Sequence, residues 1–207
     1  MPEVNRILAT ALVLTALVAT APAGADGARR SAGELMDVVM WAREPIGGPF
    51  ALVDHQGRTR TDADFRGSLM VVYFGYSYCP DICPTDLLAI GQAIDQLGPA
   101  GEAVQPLFVT VDPARDTPDH LAEYVPLFHP RLIGLTGSAE AVSQAAEAYK
   151  VYFRRADGDD RDSYAVDHSA FIYLIDRDGG YLGFVPPGTP PDRLAAAIRP
   201  HLARRDR

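Results

Sequence analysis

The order of apolar and polar residues predicts an α/β fold, with a central mixed sheet flanked by helices and preceded by an N-terminal β-hairpin. Three observations carry this. Near-continuous apolar, β-branched and aromatic runs at 68–76, 103–112 and 169–176 read as strands buried on both faces. Stretches of helical spacing lie between them, so strands and helices alternate. A hydrophobic content of 47% over 207 residues suits one compact domain with appendages and argues against wholesale disorder.

The chain opens on an apolar run of 15 residues, Ile7 to Ala21, interrupted only by three threonines. Arg6 precedes it, and the small residues Ala21–Ala25 after it suit a signal peptidase. The run is shorter than the roughly 20 residues a spanning helix needs. Residues 1–25 are therefore read as a signal peptide or an N-terminal membrane anchor, and 26–46 as a linker with a short helix. No cysteine lies nearby to carry a lipid. Either reading puts the body, 47–205, outside the cytoplasm, in the periplasm of a bacterium, where thiols tend to oxidise. The formal net charge of −8 is untouched by removal of 1–25, which holds one Glu and one Arg. An acidic body without a basic patch excludes nucleic acid as a partner.

"GGPFALVDHQGRTRTDADFRG" (47–67) reads as two strands about an Asp54–Gly57 turn. "SLMVVYFGY" (68–76) is the first buried strand, and Pro84 to Leu97 a helix with Leu87, Leu88, Ile90, Ile94 and Leu97 apolar. "AVQPLFVTVD" (103–112) is the second buried strand, and Thr117 caps a helix to Phe128 with Pro118 at its first position. A short strand (131–137) precedes a helix from Ser138 to Tyr152, and the polar 154–164 reads as a loop. "SAFIYLID" (169–176) is the third buried strand, "YLGFVP" (181–186) its hairpin partner, and 190–205 the closing helix. This order matches a thioredoxin-like arrangement. The strands ending at Tyr76 and Asp112 should then run parallel, with the one starting at Ser169 antiparallel to them. Cys79/Cys83, Asp112 and Asp167–His168 converge on one sheet edge, where open α/β sheets bind ligands.

The chemistry concentrates in "YFGYSYCPDICP" (73–84), which holds the only two cysteines, each followed by proline. A residue before proline is pushed toward extended geometry, so Cys83 is expected as the helix N-cap and Pro84 as the first helical residue. The helix end would then favour a Cys83 thiolate. A structural disulfide across so short a loop would contribute only about 2 kcal/mol. A redox-active dithiol and a metal site are the other readings. Two thiolates with one imidazole under-fill a structural zinc site, lack the four cysteines of an iron–sulfur cluster, and differ from the one Cys and two His of blue copper. They suit three-coordinate Cu(I), and an open position favours handing the ion on. Of five histidines, His55, His120, His129 and His201 read as surface residues. His168 sits at the predicted ligand edge, beside Asp167 as its orienting carboxylate. Asp112 ends the central strand facing the cysteine loop, where it would bias the site, bond a ligand or face a partner.

Five motifs in this order, "GGPFALVD", "YFGYSYCPDICP", "VTVDPARDTP", "LIGLTGS" and "VDHSAFIYLID", resemble the SCO/SenC proteins, copper-binding assembly factors for cytochrome c oxidase. The resemblance runs from about Gly47 to the final helix. It implies a thioredoxin-like fold and copper held by Cys79, Cys83 and His168, with a functional aspartate at Asp112. It further implies delivery of copper, as Cu(I) or Cu(II), to the dinuclear copper centre of the oxidase's second subunit, or prior reduction of that subunit's cysteines. An upstream copper donor or thiol reductant follows as a further partner. Tyr78 departs from the histidine many members carry beside the first cysteine. The competing readings are a thiol–disulfide oxidoreductase or thiol peroxidase, and a redox sensor. Thioredoxin-like oxidoreductases use CxxC and a proline before the third main strand, whereas this chain has CxxxC and Val-Asp-His-Ser at 166–169.

Overall fold

The computed structural model describes residues 31–41, 44–156 and 164–202; the N-terminal segment 1–25 lies outside them, as do 157–163 of the predicted loop. The linker does contain a helix, α1 (Ala32–Trp41). Ser31 and Glu34 start it with a reciprocal capping box: the Glu34 amide donates to Ser31 Oγ and the Ser31 amide to Glu34 Oε2. Among the described residues no helix is long and apolar enough to cross a membrane.

β1 (Ala51–Asp54) and β2 (Thr59–Thr61) form the expected antiparallel hairpin. Its turn is fixed by buried Asp54, whose carboxylate accepts from the amides of Gln56 and Arg58 and from both Arg58 and Arg60 side chains at 2.9 Å. Burial opposes that charge, but these donors outweigh it and hold the carboxyl at about 2. There follow β3 (Leu69–Gly75), α2 (Ile82–Gln96), β4 (Val104–Thr110), α3 (Pro118–Tyr124), β5 (Ile133–Thr136) and α4 (Ala139–Ala148). Then come β6 (Phe153–Arg155), β7 (Val166–His168), β8 (Ile172–Ile175), β9 (Tyr181–Val185) and α5 (Pro191–Leu202). Thr117 and Ser138 cap α3 and α4 as expected, accepting from the amides of His120 and Ala141.

The main sheet has the order β2-β1-β5-β4-β3-β8-β9. β3, β4 and β5 run parallel, and β8 lies antiparallel to β3. All seven residues of β3 are buried, because helices cover both faces at the centre of the sheet. Phe74, Tyr149 and Tyr173 pack edge to face or tilted at 5.2–6.1 Å on this strand, an arrangement ring quadrupoles favour.

Two expectations need correction. The helix after the cysteine loop begins at Ile82 with Asp81 as N-cap, so Cys83 lies inside its first turn. Proline there forfeits only an amide that a helix start leaves unpaired anyway, and the bias on the preceding residue is overridden. The polar stretch read as a loop is flanked by a two-stranded ribbon, β6 and β7, with Phe153 opposite His168 and Arg155 opposite Val166. Runs of three residues are too short for alternation to declare itself in sequence.

Candidate metal centre

The centre lies at the C-terminal end of β3. Gly75 closes that strand, and a Cβ there would meet the Cys83 sulfur at 2.9 Å, the Tyr73 ring at 3.0 Å and the Phe108 ring at 3.2 Å. Glycine is what lets the buried Cys83 sulfur rest against the strand. Beyond it the chain turns through Tyr76, whose carbonyl accepts from the Cys79 amide at 3.2 Å, and enters α2. Cys83 is fully buried, whereas Cys79 is half-buried at the rim. Both are free thiols.

His168 ends β7 and brings Nε2 to 3.3 Å from Cys83 Sγ. Its Nδ1 faces the Ser169 carbonyl at 3.2 Å, which places the proton on Nδ1 and leaves Nε2 free to ligate. Tyr76 supports the imidazole edge-on, with ring centroids 5.8 Å apart. The two sulfurs and one nitrogen all lie within 4.8 Å of one another. An ion bonded at roughly 2.3 Å to thiolate and 2.0 Å to imidazole holds its ligands about 3.5–4.6 Å apart, so this set fits a soft metal with little movement.

The two thiols are unequal. A hydrogen bond from Cys83 lowers Cys79 most; burial opposes this, and contacts from His168 and the Asp81 and Cys83 amides add to it, bringing Cys79 to about 3. The same pairing with Cys79, followed by burial, pushes Cys83 well above the ordinary thiol value. The thiolate expected at Cys83 thus belongs to Cys79, chiefly because Cys83, sealed beneath the rim, keeps its proton and donates it in a hydrogen bond to the Cys79 sulfur.

Other predicted residues fall differently. Asp112 is buried, only 5% exposed. Its carboxylate accepts from the Tyr164 hydroxyl at 2.6 Å and from Arg115 Nε at 2.5 Å. Asp167 is exposed on the opposite side of β7 from His168, across from Arg154, and the Ser169 carbonyl takes the orienting role assigned to it. Of the histidines read as surface residues, one is buried and a half-buried second joins a polar cluster. His129 is buried beside Asp95. His120 places Nε2 2.7 Å from the Ser77 hydroxyl, which in turn donates to buried Asp116. Thr110 also donates to Asp116, so this cluster ties the cysteine loop to the end of β4. Asp86 was missed as well. It is buried one helical turn after Cys83, with burial raising its pKa and the Gly188 amide donating to it at 2.8 Å. Its i,i+3 spacing from Cys83 was the available signal. The Ser77–Asp116–His120 set and Tyr164 gave none, since each depends on contacts between distant segments.

The description SCO1/SenC belongs to a family model that matches residues 40–203. The mitochondrial SCO2 homolog of Bos taurus is 42% identical over 203 residues, covering 95% of this chain and 76% of its own length. The Homo sapiens SCO2 homolog is 44% identical over 158 residues, covering 75% of this chain but only 59% of its own length. Among solved structures, Arabidopsis thaliana ScoI with copper bound is 39% identical at a TM-score of 0.72, covering 76% of this chain and 98% of that one.

Proposed function

This chain belongs to the SCO1/SenC family, and from that premise we propose that it carries copper through Cys79, Cys83 and His168 and delivers it to the dinuclear copper centre of cytochrome c oxidase during assembly. One observation carries the reading: two sulfurs and an imidazole nitrogen from segments 85 residues apart come within 4.8 Å. Two soft sulfurs and one nitrogen match the preference of Cu(I), and three ligands leave room for a fourth from the receiver. The rim position of Cys79 lets that incoming donor reach the ion. The proposed working place is outside the cytoplasm, where the N-terminal segment would export or anchor the chain. An upstream copper donor and the oxidase subunit are the proposed partners. The purified, reduced protein should hold one Cu(I) against a competing chelator. Cys79→Ser, Cys83→Ser and His168→Ala should each lose at least about tenfold in affinity. Equal retention by all three variants would overturn the carrier reading.

The inequality of the thiols supports a second reading, reduction of the client's own cysteines. Thiolate Cys79 would attack a client disulfide and expel one client sulfur as thiolate. Cys83, giving its proton to that sulfur, would then displace the second client thiolate and close the Cys79–Cys83 bond. Turnover on an oxidised client, together with a potential above that of structural disulfides, would establish this role. Its absence with copper binding intact would leave carriage alone.

A further inference from the structure

His168 does not come from the seven-stranded sheet. Among the described residues β6 and β7 pair only with each other, over three residue pairs. An isolated two-stranded ribbon of that size is at best marginally stable in water, so contacts elsewhere must place it. At the His168 end, the Ser169 amide donates to the Tyr152 carbonyl at 2.9 Å and the Tyr152 amide to Ser169 Oγ at 3.2 Å. These bonds join the two arms to each other. They do not tie the ribbon to the cysteines.

At the His168 end the cysteine loop meets the ribbon through the Tyr76 ring and Cys83; a charged, hydrogen-bonded tie to the sheet lies at the other end. The Tyr164 hydroxyl donates to Asp112 Oδ1 at 2.6 Å, and Arg115 Nε donates to Oδ2 at 2.5 Å. The Arg115 guanidinium lies 3.6 Å from the Tyr164 ring centroid, and Arg155 of β6 covers the same ring at 3.8 Å. Charge-assisted hydrogen bonds and cation–π contacts of this kind are the stronger members of their classes. Asp112 stands just beyond β4, which pairs in parallel along the whole of β3 to Gly75, the support of Cys83. One carboxylate therefore connects the arm that carries His168 to the sheet edge that carries the cysteines.

We infer that Tyr164, Asp112 and Arg115 form a clasp that positions His168 against Cys79 and Cys83, an inference that rests on the metal-site reading above. Tyr164→Phe removes one hydroxyl and keeps the ring between its cations; Asp112→Asn weakens both bonds. In the metal-free protein, amide hydrogen exchange across β6 and β7 should accelerate about tenfold in both variants, with β3 and β4 unchanged. In chelator competition Tyr164→Phe should weaken Cu(I) binding by about tenfold or more. In a His168→Ala background the same substitution should change nothing, because the clasp acts through that imidazole. Unchanged ribbon exchange in both variants would overturn the clasp. So would an affinity loss of equal size with His168 already removed, since the effect would then be general. If exchange responds in a protein that cannot hold copper, the clasp stands and the carrier reading falls.

Discussion

At the two cysteines, position within a single turn decides reactivity. Cys79 accepts a hydrogen bond from Cys83 and, to a lesser extent, from amides at the start of α2, whereas Cys83 lies beneath it with no exposed surface. Iodoacetamide should label Cys79 first, at a rate nearly flat between about pH 5 and 8, because its thiolate is already formed across that range. Mass spectrometry of the labelled protein checks both site and rate; a rate rising tenfold per pH unit would mean an ordinary thiol. Asp54 offers a test away from the centre. Its carboxyl is held at about 2 against an ordinary 3.8, so its contribution is complete above the unfolded value and is lost as pH falls through about 2. Asp54→Asn should cost about 1–3 kcal/mol at neutral pH in denaturant unfolding, and little in strong acid. The three proposed ligands were legible from residue type and strand order alone. Which sulfur is charged was not, because it depends first on the hydrogen bond between the two sulfurs and on their unequal burial; proline spacing also misplaced the helix start by two residues.

The central strands of the main sheet and the helices around them were legible from long apolar patterns, as in the seven buried residues of β3, and the short β1–β2 hairpin from its turn residues. The caps at Thr117 and Ser138 were equally plain from residue type. The β6–β7 ribbon was not, and with it went the meaning of Asp112: read as a strand end facing the cysteine loop, it is buried and bonded through Tyr164 to that ribbon. Gly75 makes the junction of β3 with the cysteine loop sensitive to a single methyl. Gly75→Ala must displace the Cys83 sulfur or the rings of Tyr73 and Phe108, at a cost of about 1–3 kcal/mol in unfolding free energy. The same variant should bind Cu(I) more weakly, as read by chelator competition. Undiminished affinity would mean that the sulfur has room to relocate.

Over the whole domain, metal and fold are thermodynamically linked. Free Cu(I) at a hundredfold excess over its dissociation constant stabilises the bound fold by roughly 2.7 kcal/mol. For a domain of this size that raises the melting temperature by about 5–10 °C. A thermal scan of His168→Ala with the same metal should lose most of the rise, while its metal-free melting stays near the parent's. A parent unmoved by copper would contradict linkage through this centre. The donors of that centre lie 85 residues apart in the chain. A nascent polypeptide that has emerged only as far as α2 owns a bare pair of sulfurs, and the imidazole arrives only with the ribbon, after two further strands of the main sheet, β4 and β5. A firm hold on the ion would therefore require the chain through β7 to be in place, and a chain cut short before His168 would hold it more weakly.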